Sequence, residues 1–189
     1  MTILRFAFAG ALFLATTTSA VVAQAAEFIT IQLKDGPVVV ELNDKVAPKH
    51  VERIKALAAA GEYDNVAFHR VIEGFMAQTG DVQFGDMEDG FQPGAAGTGG
   101  SSQPDLPQEF SDVPFERGTV GMARSQDPNS ANSQFFIMFA PGDFLNGQYT
   151  VVGKVVSGME NVDKIKRGDE ANNGAVTDPD RMIKVTVGK

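Results

Sequence analysis

Two segments of the chain combine large apolar residues with a few long polar ones at a spacing typical of β-strands. They are residues 68–81, FHRVIEGFMAQTGD, and residues 133–139, SQFFIMF. Arg70, in the first segment, carries a guanidinium that stays charged at any working pH and offers a rigid fork of hydrogen-bond donors. Beside an apolar pocket, such a donor can stabilise charge or a lone pair on a bound molecule. The chemistry that these residues favour is therefore electrostatic and needs no nucleophile.

Composition excludes several other kinds of site. The chain contains no cysteine, which excludes disulfides, thiolate catalysis and cysteine-based zinc sites. Its two histidines, His50 and His69, argue against a histidine metal cluster, and no Ser-His-Asp arrangement suggests a hydrolase. A formal net charge of −8 argues against nucleic-acid binding, which usually needs a basic surface. The sequence predicts neither a bound metal nor a cofactor.

Four further motifs occur in the same order as in a known enzyme family. They are residues 118–124, GTVGMAR, residues 127–130, DPNS, residues 144–153, FLNGQYTVVG, and residues 158–165, GMENVDKI. With the two segments above, they make the chain resemble the cyclophilins, which are peptidyl-prolyl cis-trans isomerases, from Phe28 to Val187. The resemblance implies rotation about X–Pro bonds, with proline-containing polypeptides as substrates.

Such a reaction requires only that the barrier to rotation be lowered. Resonance gives the X–Pro bond a barrier of ~18–20 kcal/mol, and a rate increase of about 10⁵ removes about 7 kcal/mol of it. One well-placed donor to the pyramidal imide nitrogen contributes roughly 3–4 kcal/mol. Desolvation, strain and grip on the flanking peptide must supply the remainder.

The resemblance assigns the catalytic roles to Arg70 and Gln78. Arg70 stands where the family's arginine hydrogen-bonds near the proline, and Gln78 and Gln134 match the polar pair beside that arginine. One glutamine would orient the arginine and the other would contact substrate. The alternative for the arginine is a structural salt bridge to Glu73 or Asp81, and glutamines on exposed strand faces need no function.

The resemblance also implies a substrate-binding set. The prolyl ring would contact Phe75, Met76, Phe136 and Leu145, with Phe144 and Tyr149 beside them. The residues before proline would pair with the backbone at Ala123, Arg124 and Ser125. On pattern alone the apolar members could simply be core, as we expect for Phe68, Val71, Ile72, Phe135 and Ile137.

Three positions depart from the best-known eukaryotic members. Arg124 replaces an asparagine common in those members, and the loop with Gln126 and Asp127 is one residue longer, so we expect side-chain preferences for the residue before proline to differ. Phe144 replaces a tryptophan whose indole donates to cyclosporin, which predicts weak cyclosporin binding with isomerase activity retained. Tyr149 replaces a histidine.

We expect His69 to make a structural hydrogen bond and His50 to be exposed.

The elements that must position these residues are mostly short strands. A hairpin is predicted over residues 28–42 with a turn at Asp35-Gly36, and a helix from Pro48 to Gly61. Further strands are predicted at residues 66–72, 75–78, 120–123, 135–139, 150–156 and 182–187, with a second helix at 159–166. The many short strands and two helices suggest a mainly β fold, a closed β-barrel with a helix capping each open end, and the resemblance implies eight antiparallel strands.

The N-terminus predicts export. Arg5 is followed by an apolar stretch and a small-residue cleavage site at Ala23-Gln24-Ala25, which predicts a signal peptide over residues 1–25. An uncleaved anchor is the alternative, but polar residues 16–19 interrupt the apolar run. We expect an isomerase domain over residues 26–189, located in the periplasm, monomeric and free of the membrane after cleavage. The competing function is a peptide-binding chaperone on the same scaffold with negligible turnover.

Overall fold

The computed structural model describes residues 27–188, which form one antiparallel sheet and two α-helices. The strands are β1 Glu27–Leu33, β2 Gly36–Leu42, β3 Arg70–Ile72, β4 Met76–Thr79, β5 Thr119–Met122, β6 Phe135–Met138, β7 Val151–Ser157 and β8 Lys184–Gly188. The helices are α1 Pro48–Ala60 and α2 Met159–Val162. The strand order is β3-β4-β6-β5-β7-β2-β1-β8, and α1 packs against β8 while α2 packs against β2. The mainly β prediction with two helices is confirmed.

The prediction of a closed barrel is wrong. The sheet is an open half-barrel that ends at β3 and β8, and the contact between these ends is one isolated bridge between Ala67 and Arg181. The predicted strand at residues 66–72 forms only at Arg70–Ile72, because its first residues pair with separate loops. The Ala67 N–H donates to the Gly85 carbonyl and the Phe68 N–H to the Asp180 carbonyl. Backbone groups divided in this way cannot form a ladder with a single partner strand.

Helix α1 follows its local signals. Pro48 occupies the first turn, and Gly61 ends the helix with a φ of 77°, in the left-handed region where glycine has no Cβ penalty. Its buried face includes Val51, Ile54 and Leu57, as predicted. Helix α2 ends at Val162, earlier than predicted.

The residues after α2 continue in tight turns rather than as α-helix. The N–H groups of Lys164 and Ile165 donate to carbonyls three residues earlier, at Asn161 and Val162, instead of four. Ile165 and Val162 are nevertheless both buried. The predicted apolar face therefore reaches the core through a different backbone geometry.

His50 on α1 is fully buried, so the prediction that it is exposed is wrong. Its Nδ1 lies 2.7 Å from Oε2 of Glu109, whose carboxylate also accepts the backbone N–H groups of Lys49 and His50. A carboxylate at a helix N-terminus satisfies unpaired donors and complements the helix dipole. Burial outweighs this neighbour and lowers the pKa of His50.

Strand β6 divides its side chains between two apolar clusters. Phe135 and Ile137 join the main core inside the curved sheet, together with Phe68 and Val71. Phe136 and Met138 join a second cluster on the opposite face, with Met76, Phe115, Leu145 and Val151. This alternation follows from the two-residue period of a strand. The second cluster forms the base of the site described next.

Candidate active site

A cavity of about 610 Å³ opens above the second apolar cluster. All the predicted site residues except Ser125 and Gln134 line it: Arg70, Phe75, Met76, Gln78, Ala123, Arg124, Phe136, Phe144, Leu145 and Tyr149. Gln148 lines it as well and was not predicted. Ser125 and Gln134 line an adjacent cavity of about 390 Å³, which shares Gln78, Ala123 and Arg124 with the first. The predicted residues therefore come together along one two-part groove.

Arg70 projects from β3 and is held entirely by neutral partners in the described part of the chain. Its Nε donates to the backbone carbonyl of Asn173 at 3.0 Å, and NH2 donates to the side-chain oxygen of Asn173 at 3.0 Å. NH1 donates to Oε1 of Gln78 at 3.2 Å and contacts the sulfur of Met76 at 3.8 Å. Partial burial lowers the pKa of Arg70. An arginine stays protonated nonetheless.

The alternative role of Arg70, a structural salt bridge to Glu73 or Asp81, finds no support in the structure. Glu73 pairs with Arg167 instead. Asp81 is fully buried and accepts backbone N–H groups of the loop that contains Gly97 and Gly99, at 2.7 and 2.9 Å. No ion pair among residues 27–188 involves Arg70. Its positive charge therefore remains available to a bound group.

Two side-chain amides, those of Gln78 and Gln134, extend the contacts of Arg70 into the second cavity. Gln78 accepts from Arg70 and donates through Nε2 to Oε1 of Gln134 at 2.9 Å. Gln134 donates through its own Nε2 to the carbonyl of Gly99 at 2.8 Å. Because each amide accepts at one end and donates at the other, the chain fixes the orientation of both glutamines. The pairing of Arg70 with Gln78 across β3 and β4 places the first of these groups.

Phe136 forms the centre of the apolar floor. Its ring stacks on Phe115 at a centroid distance of 5.7 Å and meets the edge of Tyr149 at 5.9 Å. Met76, Phe136 and Leu145 are all buried. Phe115 supports the floor from below and was missed, because it lies in an irregular segment after Val113 and Pro114 where no periodicity marks a buried face.

The rim of the groove is aromatic and cationic. Phe144 is 71% exposed and lies 5.5 Å from Phe75, ring centre to ring centre. The guanidinium of Arg124 lies 4.4 Å from the centre of the Tyr149 ring, a cation–π geometry. Arg124 also donates to the carbonyl of Gln148 at 2.9 Å. These contacts fix an arginine side chain at the point where the two cavities meet.

Asn173 is a further contact that sequence reasoning missed. It precedes Gly174 and adopts a φ of 55°, so the Asn-Gly pair is the turn signal that could have marked it. His69 also differs from expectation. It is buried, both of its ring nitrogens lack a hydrogen-bond partner within residues 27–188, and burial lowers its pKa. The ring therefore makes no hydrogen bond of ordinary geometry, although the backbone of Ala67 and the side chain of Gln134 lie close enough to oppose the lowering of its pKa.

Comparison with known sequences decides the family. A family model described as cyclophilin type peptidyl-prolyl cis-trans isomerase matches residues 28–187. The chain belongs to this family. A probable peptidyl-prolyl cis-trans isomerase of Brucella suis is 63% identical over 99% of the chain and 97% of its own length. Peptidyl-prolyl cis-trans isomerase B of Escherichia coli is 38% identical over 73% of the chain and 83% of its own length.

Solved cyclophilin structures agree with this assignment. A cyclophilin type isomerase of Cryptosporidium parvum aligns with a TM-score of 0.73 and 26% identity, over 87% of this chain and 99% of that one. The same protein in the presence of the dipeptide Ala-Pro aligns with a TM-score of 0.72 and 28% identity, over 86% and 99%. The chain is thus a cyclophilin-type peptidyl-prolyl cis-trans isomerase. Residues 27–188 contain no helix long and apolar enough to cross a membrane. They also contain no cluster of His, Asp or Glu suited to a metal ion.

Proposed function

We propose that this cyclophilin is exported to the periplasm and there assists the folding of exported polypeptides by rotating their X–Pro bonds. The observation that carries the isomerase part of this proposal is Arg70, an unneutralised guanidinium held by Asn173 and Gln78 at the edge of an apolar pocket. That arrangement suits a reaction whose transition state needs a hydrogen bond to the imide nitrogen and an apolar pocket that excludes water from the proline ring.

The proposed catalytic cycle contains no covalent step. The prolyl ring enters the pocket over Met76, Phe136 and Leu145, where the apolar floor excludes water from the imide. Arg70 then donates to the imide nitrogen as its lone pair becomes localised in the twisted transition state. This donation is worth roughly 3–4 kcal/mol in a preorganised site. Gln78 contributes by holding NH1 of Arg70 so that the guanidinium does not need to reorganise.

The peptide residues before proline would run along residues 123–125 toward the second cavity. The N–H of Ala123 already donates to the Gln134 carbonyl, and the N–H of Ser125 to the Ser130 hydroxyl. The Ser125 carbonyl accepts from the Arg124 side chain, so the groups left for a peptide in this segment are the N–H of Arg124 and the carbonyls of Ala123 and Arg124. Gln134 would contact substrate from the opposite wall, since its amide is oriented by Gly99 and Gln78.

Export rests on the signal-like residues 1–25, which lie outside the described part of the chain. Cleavage after Ala25 would leave the mature protein starting at Ala26, directly before β1 at Glu27. The complete sheet would therefore remain after removal of the signal. The mature protein would act as a monomer on unfolded chains, with weak affinity for cyclosporin because Phe144 cannot donate a hydrogen bond.

The test follows the full chain, tagged at its C-terminus, in a Gram-negative host. The proposal predicts a periplasmic protein whose N-terminal sequence begins at Ala26. Full-length protein in the cytoplasmic or membrane fraction would contradict export. The mature protein should also accelerate the proline-limited refolding of an unfolded polypeptide, and Arg70→Ala should not. Binding of the unfolded chain without acceleration would contradict the folding role and favour the chaperone alternative.

A further inference from the structure

The substrate groove differs in charge from the protein that contains it. The chain has a formal net charge of −8. The two adjoining cavities, however, are lined by two arginines, Arg70 and Arg124, and by no aspartate or glutamate. The groove is thus locally cationic in an acidic protein. Arg70 is accounted for by the proposed catalysis, whereas the charge of Arg124 has no assigned role.

The charge of Arg124 is not compensated within residues 27–188. Its donors go to the backbone carbonyls of Ser125, Gln126 and Gln148, and its guanidinium lies on the ring of Tyr149. These partners are all neutral. No ion pair in the described part of the chain includes Arg124, so its charge is fixed in place without a countercharge.

The acids nearest to Arg124 in sequence and at the rim, Asp127 and Asp143, form no ion pair with it in the described part of the chain. Asp127, in the same loop, accepts the Asn129 N–H through Oδ1 at 2.8 Å. Asp143 precedes Phe144 at the opposite rim. Neither of them lines either cavity. A carboxylate of a bound peptide would therefore give Arg124 the negative partner that residues 27–188 do not provide.

We infer that Arg124 makes this isomerase prefer an acidic residue at one of the two positions immediately before proline. The inference rests on the proposed function, in which the prolyl ring occupies the first cavity and the preceding residues cross residues 123–125. Arg124 lines both cavities at their junction. A Glu or Asp side chain entering there can receive a hydrogen bond from a guanidinium that is already held in place.

The preference concerns a single acidic residue rather than an acidic polypeptide. The overall negative charge of the protein repels strongly acidic chains at a distance, whereas the groove attracts one carboxylate at short range. Arg124 is partly exposed, so solvent weakens the attraction. Exposed ion pairs of this kind correspond to a roughly two- to fivefold higher kcat/KM for glutamate over glutamine.

The experiment compares matched peptides by NMR exchange spectroscopy with the full mature chain. One pair carries Glu or Gln directly before proline, and a second pair carries Glu or Gln one position earlier. Each Glu/Gln ratio of kcat/KM is measured for wild type, Arg124→Gln and Arg117→Gln. Arg117→Gln is the matched control, because the substitution removes the same charge from an exposed ion pair with Asp163. Arg117 lines neither cavity. The Gln peptides alone report whether the protein is an isomerase.

The inference predicts a ratio of about two to five at one of the two positions in wild type and in Arg117→Gln. It predicts a ratio near one in Arg124→Gln, and a decline toward one for wild type at about 1 M salt, where screening is nearly complete. Ratios near one at both positions in wild type, with normal turnover of the Gln peptides, overturn the inference and leave the isomerase function intact. A ratio unchanged in Arg124→Gln, with that variant folded, overturns it equally. No turnover of any peptide would instead contradict the proposed function.

Discussion

Gly121 on β5 leaves room for the two phenylalanine rings that form the floor of the proposed proline pocket. A Cβ placed on Gly121 would lie 2.5 Å from Cε1 of Phe115 and 2.7 Å from Cζ of Phe136. Both distances are about 1 Å shorter than an unstrained carbon–carbon contact of ~3.5 Å. Phe115 and Phe136 are both buried and stacked on each other, so neither ring can move alone. We predict that Gly121→Ala displaces Phe136 from its place in the floor.

The size of the effect follows from these overlaps. Overpacking of a core site costs about 1–3 kcal/mol of unfolding free energy. A displacement of about 1 Å at a binding surface can reduce turnover by up to about 100-fold, so we expect kcat/KM to fall at least about tenfold. Thermal denaturation measures the first quantity, and NMR exchange of an Ala-Pro peptide measures the second.

Two further variants test the reason for the effect. Gly94→Ala is the matched control, because its added Cβ would meet nothing within 4 Å, and we expect no change in either assay. Adding Phe115→Leu to Gly121→Ala makes room below the floor and should recover part of the isomerase activity. Wild-type stability and turnover in Gly121→Ala would refute the reasoning, as would a loss that the second substitution leaves unchanged.

Three other predictions address the arginine, the histidines and the rim. Asn173→Ala removes one of the hydrogen bonds to Arg70, and a hydrogen bond to a charged group contributes about 1 kcal/mol or more. We therefore expect kcat to fall about fivefold with the fold intact. An unchanged kcat would contradict this role of Asn173. Burial lowers the pKa of His50 and of His69 below the ordinary 6.5, so the unfolded chain takes up protons first on acidification. The unfolding free energy should therefore be level above about pH 7 and decline as the pH falls below 6.5, and a melting temperature independent of pH from 7.5 to 5 would oppose this. Phe144→Trp supplies an indole donor and should tighten cyclosporin binding about fivefold, the value of one neutral hydrogen bond, as measured by calorimetry; equal affinities would exclude that role for the ring.

Local signals were sufficient where a segment makes its own structure. The hairpin of residues 28–42 and the Pro48 and Gly61 ends of α1 were predicted because each depends on the backbone preferences of a few residues. The hairpin turn itself lies at Lys34-Asp35, one residue earlier than predicted, and Gly36 already pairs with Leu33 as the first residue of β2. The alternation of β6 also predicts that Phe136 faces away from Phe135. It does not predict which face is core and which is pocket, and that assignment came from the family resemblance.

Features that depend on distant partners could not be predicted. The apolar pattern of residues 66–72 suits a strand, but its first backbone groups pair with loops around Gly85 and Asp180, which leaves the sheet open. His50 is buried because Glu109, far along the chain, supplies its partner. Asn173 reaches Arg70 across a still longer separation in sequence. No periodicity encodes such contacts.

The central claim is that Arg70 lowers the rotational barrier. Its most direct test is the exchange of an Ala-Pro peptide, measured by NMR with wild-type residues 26–189, Arg70→Ala and Arg117→Ala. Loss of one preorganised donor predicts a roughly 100- to 1,000-fold lower exchange rate in Arg70→Ala, and an unchanged rate in Arg117→Ala. Matching amide spectra would establish that both variants are folded. Exchange as fast in folded Arg70→Ala as in wild type would contradict the account.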